Sequence, residues 1–248
     1  MQPIRSLLFD VILVIWTTVL SPSVLFMYLF KVSSSTIRRL SIFWAHGIIV
    51  LLHYIVGIKY KEVGAENIPP GPLLIICNHQ SAFETFLLPV LFRSAVIVAK
   101  IELARIPVVG WCLKHYPMIM IDRSAGAGAL AQLRREAEAA VKNGHSVLIF
   151  PEGTRKSVGE EIVFQRGVEY LYKALSMPVL PVVVNSGLLW GRDRLMRRSG
   201  TVTVSYLPII PSGLDTREFK RIAESRMNLE KNRLAGATAH DALVDAVG

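Results

Sequence analysis

Apolar residues fill two long stretches before residue 59 and then break into short runs separated by polar turns. The first stretch, residues 7–30 (LLFDVILVIWTTVLSPSVLFMYLF), is interrupted by Asp10 and by the Ser21-Pro22-Ser23 break, and the second is residues 40–58 (LSIFWAHGIIVLLHYIVGI). Each is about a bilayer thickness long as a helix, so the pattern predicts a hydrophobic two-helix membrane anchor over 1–58. From residue 59 onward β-branched runs alternate with helical periodicity. Strands are predicted at 59–63, 73–77, 95–99, 117–121, 146–150, 179–184 and 201–207. Helices are predicted near 82–92, 103–115, 126–143 and 166–176, with a polar amphipathic helix near 216–234. This order implies an α/β domain over 59–234, a mixed, largely parallel sheet of about seven strands covered by helices. Small residues mark 235–248 as a flexible tail.

Composition sharpens the membrane reading. Hydrophobic residues make up 52% of the chain, and the excess lies mostly in the first 58 residues. A cleaved signal peptide fits poorly, because the apolar stretch is too long and no small-residue cleavage pattern follows it. Arg5, Lys31, Arg38, Arg39, Lys59 and Lys61 put positive charge at every end of the two segments. A spanning pair should show more bias, which favours a hairpin dipped into one leaflet with basic residues at the headgroups. Crossing helices and two buried core helices are the other arrangements. The net charge of +9 suits anionic lipid, phosphorylated substrates or nucleic acid, and does not choose among them. Cys77 and Cys112 sit in apolar runs without metal-ligand spacing and read as buried thiols; no metal site is expected.

Chemistry concentrates where strands end. Asn78-His79-Gln80 follows the strand 73–77, at the edge where α/β proteins hold ligands. Ser81 and Glu84 have the spacing of a capping box. Glu84 also lies within reach of His79, and a His–carboxylate pair is the usual way to build a general base. Spacing leaves both roles open. A second strand, 146–150, runs into Pro151-Glu152-Gly153-Thr154-Arg155, where a local ion pair is the plain alternative to a site. Asp122-Arg123 ends a third strand, and Lys100 and Arg105 lie beside a fourth. Arginine suits bidentate contact with phosphate, so cationic strand ends around one histidine point to a phosphorylated substrate beside a base. Two other features compete. Gly126-Ala127-Gly128-Ala129-Leu130-Ala131 matches a dinucleotide fingerprint, but too many residues separate it from the preceding strand. The run WGRDRLMRR, residues 190–198, would serve a binding module as its contact surface, or reach lipid headgroups beside Leu188, Leu189 and Trp190.

Four blocks in order resemble the PlsC-like lysophosphatidic acid acyltransferases, within the wider glycerolipid acyltransferases, over about residues 60–210. They are NHQSAFE, with His79 and Glu84 in a His-four residues-carboxylate motif; Ile121-Asp122-Arg123; FPEGTR, Phe150 to Arg155; and the apolar strand Val179 to Val184. The resemblance implies transfer of a fatty acyl group from acyl-CoA or acyl carrier protein to the sn-2 hydroxyl of lysophosphatidic acid, giving phosphatidic acid. A lyso-ornithine lipid or another lysophospholipid is the alternative acceptor. It implies His79 as base and Glu84 as its orienter, where the family usually has Asp on a shorter stem. It implies Glu152 against the glycerol, Gly153 and Thr154 at the acceptor, and Arg155 on its phosphate, with Arg123 and Lys100 as further phosphate ligands. Backbone N–H groups at the helix start are expected to face the oxyanion. No cofactor beyond the thioester co-substrate and no nucleic-acid partner is implied. The expected setting is the bilayer of the bacterial inner membrane, with the site facing the cytoplasm.

Overall fold

The structure, a computed structural model, describes residues 2–105, 110, 118–191 and 195–247. Seven strands pair into one sheet: β1 (Ile58–Val63), β2 (Leu74–Cys77), β3 (Val96–Lys100), β4 (Met118–Ile121), β5 (Val147–Ile149), β6 (Val179–Val184) and β7 (Gly200–Tyr206). Their order is β1-β7-β6-β2-β5-β3-β4. β2 lies between β5 and β6 and runs parallel to both, while β3 is parallel to β5 and β4. β7 turns antiparallel to β6, and β1 is parallel to β7. The sheet is therefore mixed and largely parallel, and the C-terminal ends of β2, β5 and β6 lie side by side.

The central strands are buried on both faces, and for that reason they read in the sequence as unbroken apolar runs. All residues of β2 and β6 are buried. The two-residue side-chain period sends Leu74 and Ile76 to one core and Ile75 and Cys77 to the other. The helices are α1 (Gln2–Leu29), α2 (Ser34–Leu51), α3 (Phe83–Leu91), α4 (Ala127–Lys142), α5 (Arg166–Leu175) and α6 (Thr216–Val247). One face of the sheet carries α1, α2 and α3 through Phe9, Ile48, Ile49, Phe83 and Leu87. The opposite face carries α4, α5 and α6 through Leu133, Ala137, Leu171, Phe219 and Met227.

Three departures from the sequence pattern have physical causes. The Ser21-Pro22-Ser23 break does not interrupt α1. Pro22 cannot donate to the Thr18 carbonyl, and the Ser21 hydroxyl takes that acceptor instead at 2.7 Å. α6 does not stop near residue 234 but continues to Val247, through an alanine-rich run of high helix propensity. Of the helix expected over 103–115, residues 103–105 belong instead to a 3-10 turn, Ile101–Arg105, Gly110 is helical, and the remainder, with Cys112, lies outside the described residues.

The N-terminal pair is built into the domain. Trp16 Nε1 donates to the Trp44 carbonyl at 3.2 Å and Trp44 Nε1 to Thr17 Oγ1 at 3.2 Å, which joins α1 to α2. α2 passes into a π-helical turn, Leu52–Val56, and stops at Gly57, whose φ of 84° favours glycine. Along its length α2 follows α3: Arg38 Nη1 donates to the Arg93 carbonyl at 3.0 Å, and the Trp44 and Phe86 rings meet edge-on at 5.6 Å. Asp10 accepts from Arg197 Nη2 at 2.7 Å. The Arg197 guanidinium lies over the rings of Phe9 and Trp190. Residues 190–198 are thus not a continuous contact surface, because Trp190 and Arg197 are buried against α1 while Leu195 and Met196 are exposed; Arg192, Asp193 and Arg194 lie outside the described residues. The outer face of the pair is apolar, with Ile4, Leu7, Val14, Val19 and Phe43 exposed. Both segments are long and apolar enough to cross a membrane by length and composition.

Candidate active site

Three strand ends meet at His79. β2 delivers Asn78-His79-Gln80, β5 delivers Phe150 to Arg155, and β6 delivers Asn185 and Ser186. Asn78 extends the pairing of β2 and β6 beyond the strands, because its amide donates to the Val184 carbonyl at 2.9 Å and accepts the Val184 N–H at 2.8 Å. The Gly187 N–H donates to Gln80 Oε1 at 3.1 Å. The segment after β5 grips His79 from its other side. The His79 N–H donates to Glu152 Oε2 at 2.6 Å, and the Lys156 N–H donates to the His79 carbonyl at 2.7 Å. Phe150 stacks on the imidazole at 4.3 Å between ring centres.

Glu84, in the first turn of α3, unites the two roles that its spacing left open. Its Oε1 accepts the Gln80 N–H at 2.6 Å, the Ser81 N–H at 2.7 Å and His79 Nδ1 at 2.9 Å. Its Oε2 accepts hydroxyls from Ser81 at 3.2 Å and Ser186 at 2.7 Å. Ser81 Oγ in turn accepts the Phe83 N–H at 2.8 Å. Burial works to raise the Glu84 pKa, but the His79 hydrogen bond and charge, the Ser186 hydroxyl and the Ser81 N–H outweigh it and hold the carboxyl below its ordinary value. An ionised acceptor at Nδ1 makes that nitrogen the protonated one and leaves the Nε2 lone pair for chemistry. The imidazole reaches solvent through 15% of its side chain.

Glu152 is in the opposite state. Burial pushes its carboxyl up to about 8, with the Glu84 charge adding to the effect and the His79 N–H opposing it. It is 3% exposed, so it holds the His79 backbone rather than standing free for a glycerol. Gly153 turns the chain with φ 70°. Thr154 is half-buried, and Arg155 is exposed; Arg155 has no hydrogen bond or ion pair among the described residues. Lys100 ends β3 and Arg123 follows β4, at the same rim of the sheet. They stand two and three strands from β2, about 10 and 14 Å at ordinary strand spacing, whereas Arg155 directly precedes Lys156, whose N–H bonds the His79 carbonyl.

Two expectations change at this site. The helix-start N–H groups of Gln80, Ser81 and Phe83 are already engaged by Glu84 and Ser81, so they do not face an oxyanion. Ser186 was not anticipated; its signal is the triplet Asn185-Ser186-Gly187, a polar strand end like Asn78-His79-Gln80. The Ser81 and Ser186 hydroxyls are both committed to Glu84. Cys77 is fully buried, and burial followed by the Glu84 and Glu152 charges raises its thiol well above the ordinary value. Among the described residues no side-chain nucleophile therefore accompanies His79, and the arrangement can take a proton from a bound substrate.

A family model described as Acyltransferase matches residues 59–185. Over 165 residues the chain is 40% identical to a 1-acyl-sn-glycerol-3-phosphate acyltransferase of Pseudomonas aeruginosa, covering 66% of this chain and 64% of that protein. It is 32% identical over 139 residues to the protein of that name in Saccharomyces cerevisiae, covering 55% of this chain and 46% of the yeast protein. The match thus spans less than two thirds of either relative. In fold the chain is similar to the crystal structure of the 1-acyl-sn-glycerophosphate (LPA) acyltransferase PlsC of Thermotoga maritima. The TM-score is 0.74 at 21% identity, over 94% of this chain and 99% of that one.

Proposed function

The chain belongs to the acyltransferase family, and from that premise we propose that it transfers a fatty acyl group from a thioester, acyl-CoA or acyl carrier protein, to the sn-2 hydroxyl of lysophosphatidic acid. Phosphatidic acid is the product. The observation that carries the reading is the 2.9 Å contact between His79 Nδ1 and an ionised, buried Glu84, with Nε2 at the rim. In the first step the acceptor hydroxyl oxygen bonds to the thioester carbonyl carbon as its proton passes to His79 Nε2. Glu84 stabilises the imidazolium that forms. Collapse of the tetrahedral intermediate breaks the carbon–sulfur bond, and the departing thiolate takes the proton back from Nε2. Two substrates react directly, so no acyl-enzyme is needed. Arg155 offers its two-donor fork to the acceptor phosphate.

The acceptor is insoluble and the donor soluble, which suits an enzyme at a membrane surface. The apolar outer face of α1 and α2 is the lipid contact in this reading. A helix leaving the domain to cross a bilayer would carry Arg38 about 25 Å away, whereas Arg38 bonds to Arg93 of the domain. That contact favours a hairpin lying in the cytoplasmic leaflet. The test of function is direct: purified full-length protein in phospholipid micelles, given lysophosphatidic acid with acyl-CoA or with acyl carrier protein thioester, should yield phosphatidic acid and free thiol in equal amounts. Absence of phosphatidic acid with both donors removes the assignment.

A further inference from the structure

Residues 151–165 leave β5 and return to α5 as a loop whose ends are joined, because the Gln165 N–H donates to the Pro151 carbonyl at 2.9 Å. Closed loops of this form are packed by their own contacts and are often functional. The first half holds His79 and displays Arg155. The second half, residues 160–164, belongs to no helix or strand, alternates exposed and buried side chains from Glu161 to Phe164, and pairs with no strand among the described residues, so its backbone groups need other partners.

One stripe of α6 supplies them. Lys231 Nζ donates to the Glu160 carbonyl at 2.5 Å. Asn228 accepts the Ile162 N–H at 2.9 Å and donates to the Ile162 carbonyl at 3.0 Å. Glu224 Oε1 accepts the Phe164 N–H at 2.6 Å, and Lys220 Nζ donates to the Phe164 carbonyl at 3.4 Å. Alternate loop residues are matched to successive turns of the helix, running in opposite directions. The match works because two extended residues rise about 6.6 Å and three to four helical residues about 5 Å. Ile162 and Phe164 are meanwhile buried in the core. Residue 160 is tied back toward Arg155, since Glu160 pairs with Lys156 Nζ at 2.8 Å and accepts the Ser157 N–H at 2.9 Å.

Lys231 is 4% exposed, and its ammonium bonds a main-chain carbonyl. Apolar packing would stabilise a helix against a core at lower desolvation cost, so the stripe contributes position where apolar residues would contribute stability alone. Resting on the reading of Arg155 as the acceptor-phosphate ligand, we propose that Asn228 and Lys231 are positioning residues for acceptor recognition. Through residues 160–164 the terminal helix sets the distance between Arg155 and His79, which must match the span from phosphate to reacting hydroxyl.

The test is steady-state kinetics of the full-length protein with lysophosphatidic acid and acyl-CoA, each varied in turn. Asn228→Ala and Lys231→Met should raise KM for lysophosphatidic acid about 10-fold and change KM for acyl-CoA far less. In an Arg155→Ala background, Asn228→Ala should add little further to the acceptor KM, because both changes act through one contact. Equal changes in both KM values, or full multiplication of the two effects, would overturn the proposal and leave a role in folding alone. If either variant fails to fold by circular dichroism, Asn228→Asp, which keeps the acceptor for the Ile162 N–H and loses the donor, should show the same selectivity at about 3-fold; no selectivity there overturns it equally. Parent protein that forms no phosphatidic acid removes the function reading and this inference together. Active parent with unselective variants removes the inference alone.

Discussion

At the scale of single residues, His79 and Glu84 make one unit. His79→Ala should reduce acyl transfer at least about 100-fold in a protein that still folds, the usual scale of general-base loss. Glu84→Gln keeps an oxygen for the Gln80 and Ser81 N–H groups but removes the charge opposite the imidazolium. It should fold with kcat reduced by a comparable order, whereas parental activity would make Glu84 a cap only. Glu152 gives a prediction about pH. Its carboxyl is raised to about 8 in the folded chain from an ordinary 4.5, so the folded state holds a proton that the unfolded state releases. That contribution is complete below about 4.5 and is lost as pH rises through about 8. Denaturant titrations should show parental stability falling between pH 5 and 8 relative to Glu152→Gln, by up to a few kcal/mol; identical slopes would exclude the protonated state. The His79–Glu84 pair was legible because its members are five positions apart and share a turn. The grip of Glu152 was not, because it is made to a backbone N–H 73 positions away, and a motif shows residue types without showing which way their side chains turn.

At the scale of elements, strand positions were legible to within one residue at each end, because the central runs are buried on both faces and carry no ambiguous alternation. Strand order was not legible: β7 pairs with β1 across more than a hundred residues and with β6 across the segment 185–199, and nothing local distinguishes the two partners. In α1, Asp10 read only as an interruption of an apolar run. Its meaning is the Arg197 pair, which docks the helix on the segment before β7. Asp10→Ala should leave a buried guanidinium without its counter-charge and destabilise the protein by about 1 to 2 kcal/mol, less than for a fully buried pair because Asp10 is partly exposed. Thermal unfolding would measure this. Asp10→Ala combined with Arg197→Met should recover part of the loss, since the isolated charge is then gone as well; no recovery would assign the cost to helix packing instead.

At the scale of the whole molecule, the N-terminal pair and the α/β domain share one core, since Phe9, Ile48, Leu52 and Val56 pack with the residues of β2, β6 and β7. A boundary at residue 58 therefore follows the hydropathy of the chain better than its packing. Cysteines placed singly at 33–36, in a background lacking Cys77 and Cys112, should react only with reagent on the cytoplasmic side of sealed vesicles; labelling from the other side would establish crossing helices. The Asp10–Arg197 contact also dictates an order of assembly. On a ribosome adding about 5 to 20 residues per second, the 187 residues separating the partners take roughly 10 to 40 s to appear after Asp10. During that interval the two apolar helices have no domain to dock on, and the bilayer is the surface that can shelter them. On the proposed membrane reading, the bilayer is met first and the domain is then completed against helices already lodged there.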